Sequence, residues 1–278
     1  MTLFFVIFIT NSSYKNNISF RNLEPKIVAI SYSNEIYQKQ LKCNKKAAFE
    51  IGKVDEFYGY GPEDIDPEFR EKNKDILSRK RGNGYWLWKP YFILKTLKEH
   101  LNYGDFLFYS DACIILKDDI RILIKFLNEK NSDMWLLRSV HEEREYAKRD
   151  AFILMGADNA FYTNTRSYQA SIQIYRKTEI IERFLEDLLY YSQDKRIITD
   201  DPNTLGLSNY PEFIDNRHDQ TILSILTKKY GFANSGKPNM NITELNNIPE
   251  TFPHIICHYR RMKFFDYDDL LKKCKIKK

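Results

Sequence analysis

Asp105-Phe106-Leu107-Phe108-Tyr109-Ser110-Asp111 is the stretch whose reading decides the fold. Four consecutive apolar residues leave no polar face, so a strand built from them must lie centrally and be covered on both sides. Lys26-Ile27-Val28-Ala29-Ile30-Ser31-Tyr32 has the same character. It is a short β-branched run between Pro25 and the polar Ser33-Asn34, and it reads as a buried first strand. Between and beyond these lie segments of helical period: Glu35 to Ile51, Pro90 to Leu101, Ile120 to Leu127, Glu179 to Tyr191 and Gln220 to Lys229. Val54 to Tyr60, Met134 to Leu137, Ser171 to Tyr175 and His254 to His258 complete the strand candidates. Strands alternating with helices predict an α/β fold, a mostly parallel sheet with helices on both faces.

The chain has 278 residues, enough for one large domain, and its 43% hydrophobic and 29% charged content supports a sizeable core. No internal repeat or second linker divides it. Residues 1–25 are expected to be a leader and linker, 26–265 the folded domain and 266–278 a basic C-terminal tail, solvated at its end. The apolar run Leu3 to Ile9 is shorter than the roughly 20 residues a bilayer span requires. A signal peptide, a truncated anchor and an edge strand all stay open for it. The net charge of +5 is interleaved along the chain, so nucleic acid is not an expected partner. Cys43, Cys113, Cys257 and Cys274 are far apart, match no zinc or redox spacing, and predict no disulfide framework. The expected location is therefore cytoplasmic, with a peripheral membrane association left open.

In sheets of this kind ligands bind beyond the carboxyl ends of the strands. Asp111 stands there, where a carboxylate either turns the chain or holds a divalent cation against a diphosphate. Arg81-Gly82-Asn83-Gly84-Tyr85-Trp86-Leu87-Trp88-Lys89-Pro90 combines close-approach glycines, two cations and a helix start, the ingredients of a phosphate seat. Trp88 is expected in the core, Tyr85 and Trp86 against a ligand. Asp219, at a helix start in Asp215-Asn216-Arg217-His218-Asp219-Gln220, is either an N-cap or a carboxylate beside a reacting carbon. His254 and His258 flank an apolar triplet followed by Arg260 and Arg261, a cluster able to close over a diphosphate.

Taken together, from about Lys26 to Arg261, these segments resemble a GT-A glycosyltransferase, the Rossmann-like class of nucleotide-sugar enzymes. More narrowly they are similar to a group of bacterial and large-virus proteins that share stretches like RGNGYWLWKPY, GDFLFYSDAC, KRDAFILM and FIDNRHDQTILSIL. The resemblance implies a nucleotide-sugar donor, most often a UDP-sugar, an acceptor of unknown type, and Mn²⁺ or Mg²⁺ bridging the donor phosphates. It implies nucleotide contacts at Ser31 and Tyr32, and beside these Arg81, Tyr85, Trp86, Lys89, Ser110, Asp111, His218 and Arg260 are the expected nucleotide or substrate contacts. It also implies metal contacts at Asp111 and His258, and a catalytic pair in Asp219 and Gln220. Arg149, Asp150 and Gln169 are expected on the acceptor side. The sequence departs from the family where two acidic residues should be separated by one position; here Asp111-Ala112-Cys113 ends in a soft thiol poorly suited to either ion. A nucleotidyltransferase is the rival enzyme class, but Ser31-Tyr32-Ser33-Asn34 replaces its glycine-rich phosphate loop. A non-catalytic carbohydrate-binding module is the rival outside enzymes.

Overall fold

A computed structural model describes residues 24–232, 255–260 and 262–276. Its central sheet holds five strands in the order β2-β1-β3-β6-β5: β1 (Ile27–Tyr32), β2 (Glu56–Tyr60), β3 (Phe106–Ser110), β5 (Met134–Glu142) and β6 (Arg166–Arg176). β1 pairs in parallel with β2 and β3, while β6 runs antiparallel to both β3 and β5. Four strands therefore share one direction, and β6 alone opposes them. A second sheet pairs β4 (Ile114–Leu116) with β7 (Ile256–His258).

Every residue of β1 and β3 is buried, as their unbroken apolar runs require. Alternate residues face two separate cores. Val28, Ile30, Leu107 and Tyr109 pack against α2 (Trp88–His100), α4 (Glu179–Ser192) and α5 (Asp219–Lys229). Ile27, Ala29, Phe106 and Phe108 pack with residues of α1 (Gln38–Glu50) and α3 (Arg121–Glu129) on the other side. Helix α2 starts two residues earlier than its proline suggests. Pro90 still falls in the first turn, where backbone N–H groups have no intrahelical partner to lose.

The leader assigned to residues 1–25 lies outside the described residues except at its last two positions, and so does His254. Two expectations about the C-terminus give way. The segment expected to be a solvated tail carries helix α6 (Tyr267–Lys273), whose Tyr267, Leu270 and Leu271 are buried with Cys43 and Ala47 of α1. Cys257 and Cys274, 17 residues apart, form a disulfide because β7 and the end of α6 are brought together; Cys43 and Cys113 are buried thiols. The expectation of no disulfide is thereby corrected. Among the described residues no helix is long and apolar enough to cross a membrane.

One buried ion pair locks α5 to the sheet. Lys228 meets Glu143 at 2.6 Å with both side chains almost inaccessible, and Ser224 also donates to that carboxylate. Losing one partner strands the other charge in a dry site. Lys228→Met is therefore expected to lower unfolding free energy by about 3–5 kcal/mol. Urea titration should find most of that loss restored when Glu143→Gln is added, whereas a single variant as stable as the parent would remove the lock.

Candidate active site

A cleft of about 410 Å³ opens beyond the carboxyl ends of β1 and β3. One part of its wall is Tyr32, Ser33 and Asn34, which follow from β1; another is Lys80 to Asn83 with Trp86. Asp111, Ala112 and Cys113 come from the end of β3, and His258 and Arg260 come with β7.

Behind the cleft stands Lys89, in the first turn of α2. Its side chain is 4% exposed, yet its ammonium lies 2.7 Å from Asp219 Oδ2 and 3.5 Å from Asp111 Oδ1. It also donates to the Ala170 carbonyl at 3.2 Å and lies over the rings of Trp88 and Tyr109. Burial alone would depress the Lys89 pKa, but the carboxylates of Asp111 and Asp219 outweigh it and hold the ammonium protonated. Burial pushes the Asp219 carboxyl up to about 6, against the pull of Lys89. Asp111 is less enclosed, with 37% of its side chain exposed, and its Oδ1 accepts from the Tyr109 hydroxyl at 2.6 Å. Both contacts of Asp111 use the same oxygen, so neither occupies Oδ2.

The segment before α2 has an unusual backbone. Gly82, Asn83, Gly84, Tyr85 and Trp86 all have φ between 51° and 92°, a continuous left-handed turn. Such geometry costs an L-residue about 1–2 kcal/mol, less for Asn. Packing holds it: a Cβ on Gly82 would come within 2.3 Å of the Trp86 ring, and one on Gly84 within 2.8 Å of Leu77 Cα. The close approach these glycines permit is thus to the protein's own Trp86 and Leu77. Trp88 Nε1 donates to the Gly82 carbonyl at 3.0 Å, and Tyr32 stacks on Trp88 at 3.7 Å. His218, just before α5, is strained as well, with φ 56° and ψ −117°. Its Nδ1 hydrogen-bonds to the Ile198 carbonyl at 2.7 Å, and its ring packs near Tyr85 and Trp86. Because a carbonyl only accepts, Nδ1 carries the proton. Burial lowers the imidazole's pKa, and Nε2 is buried without a hydrogen-bond partner.

The residues expected at the site separate into groups. Tyr32, Arg81, Trp86, Asp111, His258 and Arg260 reach the cleft. Ser31 and Ser110 do not line it. Ser31 Oγ donates to the Ser110 carbonyl at 2.7 Å, and Ser110 Oγ accepts from Asn44 at 2.9 Å, so both staple β1, β3 and α1. Tyr85 and His218 are buried behind Trp86, and Asp219 is buried behind Lys89, with Gln220 outside the lining too. Arg81, expected to meet phosphate, is engaged by Asp200 at 2.8 Å and Asp215 at 2.7 Å. Arg149 pairs with Asp158 at 2.8 Å and lies over the Tyr210 ring, and Asp150 accepts from the Thr204 and Leu205 amides, so both hold the loop after residue 199. Gln169 accepts weakly from Ser171 at 3.5 Å.

Among the cleft residues that were not foreseen are Ser33 and Asn83. Ser33 is 1% exposed and its Oγ lacks a partner, although it lines the cleft. Asn83 donates to the Tyr32 hydroxyl from the left-handed turn. The signal for Ser33 was its place one residue beyond β1; for Asn83 it was an Asn between two glycines, the residue type that tolerates φ above zero.

Metal donors are few. Among the described residues no group of three or more His, Cys, Asp or Glu side chains could hold an ion. Asp111 and His258 both face the cleft, and burial keeps the His258 pKa below its ordinary value, leaving a neutral imidazole at pH 7. Burial, with Asp111 next, pushes the Cys113 thiol up to about 11, so it stands as a neutral thiol at neutral pH. These donors fit a hard divalent cation only where substrate oxygens and water complete its shell.

No family model matches the chain, and no curated protein matches it by sequence. Among solved structures it is similar to the apo bifunctional glycosyltransferase WbbM at 10% identity and TM-score 0.49. That match covers 90% of this chain and 50% of WbbM, so the chain spans half the length of that relative. It is similar to the galactosyltransferase LgtC, in complex with donor and acceptor sugar analogues, at 14% identity and TM-score 0.41, covering 84% of this chain and 87% of LgtC. GlyE of Streptococcus pneumoniae TIGR4, an apo glycosyltransferase, matches at 14% identity and TM-score 0.42, over 91% of this chain and 64% of GlyE. With every TM-score below 0.5, these similarities carry no residue roles across.

Lys89→Met would leave two carboxylates facing each other and raise the Asp219 pKa further. Since the folded state then keeps a proton that the unfolded carboxyl loses near pH 4, stability falls as pH rises through that window. Urea midpoints should show the variant more destabilised at pH 8 than at pH 5, by up to about 1.4 kcal/mol per pH unit within the window. Equal destabilisation at both values would uncouple Lys89 from Asp219.

Proposed function

We propose that the chain is a glycosyltransferase of the GT-A type, moving a sugar from a nucleotide-sugar, most simply a UDP-sugar, to a glycan, lipid or protein acceptor. The observation that carries this reading is the buried Lys89 bridging Asp111 and Asp219 directly behind a cleft that Asp111 lines with aromatic, amide and cationic groups. The sequence resemblance described above supports it independently.

In this reading Asp111 and His258 would hold Mn²⁺ or Mg²⁺, and the ion, when bound, would neutralise the departing diphosphate. Arg260, on the same wall, adds a fixed positive charge where negative charge develops. Ser33 Oγ and the Asn83 amide supply hydrogen bonds to the nucleotide half, beside the Tyr32 ring. Asp219 acts through Lys89 rather than by touching the acceptor, because it is enclosed behind that ammonium. Its role is to keep Lys89, and through it Asp111, in a fixed position and charge state. Gln220 follows it in the first turn of α5. Arg81, paired with Asp200 and Asp215, shapes the rim.

Screening nucleotide sugars for hydrolysis identifies the donor. With that donor, Asp111→Ala and Asp219→Asn are each expected to lose at least about 100-fold in turnover, a transition-state effect near 2.7 kcal/mol, with far-UV circular dichroism unchanged. UDP should raise the melting temperature more with Mn²⁺ than with a chelator. Undiminished turnover in both variants would defeat the assignment, and identical thermal shifts would remove the metal from it.

A further inference from the structure

Two of the cleft's polar groups stand on a slender support. His258 ends β7 and Arg260 follows two residues later, and both line the cleft. β7 is three residues long and, among the described residues, pairs with the three residues of β4, in the register Ile114 to His258, Ile115 to Cys257 and Leu116 to Ile256. Flanking bonds extend this ladder by one step each way: Lys117 N–H donates to the Ile255 carbonyl and Tyr259 N–H to the Cys113 carbonyl. Tyr259 is 1% exposed, and its hydroxyl lies 2.8 Å from the Ala112 carbonyl. The central residue of β7, Cys257, is the one bonded to Cys274, at the C-cap of α6. Helix α6 is in turn seated on α1: Leu270 and Leu271 share a core with Cys43 and Ala47, and Lys39 of α1 donates to the Phe264 and Phe265 carbonyls at 2.8 and 2.9 Å. The disulfide thus ties the short strand that carries His258 and Arg260 to a helix packed on the main domain.

We infer that the Cys257–Cys274 disulfide is a positioning device for the cleft, holding His258 and Arg260 beside Asp111. This rests on the reading of the cleft as a nucleotide-diphosphate site. A three-residue ladder lengthened by one bond at each end, with Arg260 just beyond it, has little cooperative support of its own, since an isolated two-stranded pair is marginal in water. Cross-linking its centre to a packed helix restricts the openings that would carry Arg260 away. Reduction by a dithiol adds two electrons and two protons to the S–S bond, yields two cysteine thiols and oxidises the reductant to its own disulfide. The cleft would then lose its fixed cation wall without losing its fold.

Three measurements on the full chain test this. Alkylation after unfolding without reductant should label two cysteines, and four after dithiothreitol; four in both cases overturns the inference. Hydrogen exchange should show residues 256–260 losing at least tenfold in protection in Cys274→Ser and in the reduced parent, while β1 and β3 stay protected; unchanged protection overturns it. Calorimetry with UDP and Mn²⁺ should find affinity at least tenfold weaker in Cys274→Ser, but less than twofold weaker when the same change is made in Arg260→Ala. Full additivity there, or a lowered melting temperature with unaltered affinity, would reduce the disulfide to a stabilising cross-link. Should the oxidised parent bind no nucleotide at all, the donor-site reading fails, and hydrogen exchange alone then decides whether the disulfide positions the strand.

Discussion

An ammonium group in near-complete burial, shared between two carboxylates, is the constraint around which the rest of the molecule is arranged. Lys89 can be charged there only because Asp111 and Asp219 are both within reach. Asp111 is the first residue beyond β3, Asp219 the first of α5, and Lys89 sits in the opening turn of α2. Three elements far apart in sequence are fixed against one another by two ion pairs. A displacement of any one by a few ångströms would leave a charge in a dry environment, at a cost comparable to a large share of a domain's net stability. The centre therefore specifies the mutual placement of these elements more than it adds to their stability.

Backbone strain sits on both sides of this centre. The left-handed turn at residues 82–86 leads directly into α2, and the unfavourable φ/ψ of His218 leads directly into α5. A relaxed backbone at either place would start its helix in another direction and carry Lys89 or Asp219 elsewhere. The packing that offsets the strain is local and specific: Trp86 on Gly82, Tyr85 and Trp86 against His218, and Trp88 stacked on Tyr32. Strain that persists only because its surroundings over-determine it is characteristic of sites where geometry matters more than stability.

Much of the architecture was legible because burial on both faces leaves a plain mark. β1 and β3 lack any polar alternation, and the helices around them carry regular apolar stripes, so class and centrality followed from pattern alone. Strand direction did not. β6 reads like any other apolar run, and nothing in Ser171 to Tyr175 distinguishes an antiparallel neighbour of β3 from a parallel one. β4 is too short to show a period, and the brief helical turns between residues 62 and 85 lie below the length at which periodicity speaks. The site was legible residue by residue but not in its partnerships. Arg81 looks like a phosphate ligand until Asp200 and Asp215, over a hundred positions away, are seen to engage it. Ser31 looks like a ligand contact until its hydroxyl is seen to donate to the Ser110 carbonyl of β3, leaving Ser33, beyond the end of β1, at the cleft. Cys257 and Cys274 carry no recognisable spacing, because their meeting depends on how α6 seats on α1.

The charge balance of the cleft bears on the order in which its ligands arrive. Asp111, Asp219 and Lys89 together carry about one negative charge at neutral pH, and Arg81 is already compensated by two carboxylates. His258 is neutral because burial disfavours its protonated form. Of the charged side chains on the wall formed by β7 and the end of β3, Arg260 opposes the negative charge of Asp111. On the proposed reading, a bare diphosphate approaching that wall would meet a carboxylate and one guanidinium, with Lys80 elsewhere in the lining as a further cation. A diphosphate already carrying a divalent cation would, on the same reading, offer positive charge to Asp111 and negative charge to Arg260. On the proposed reading, the absence of a second acidic ligand at Cys113 is then consistent rather than anomalous. A pocket that receives its cation together with the substrate needs fewer protein donors than one that must retain the ion alone.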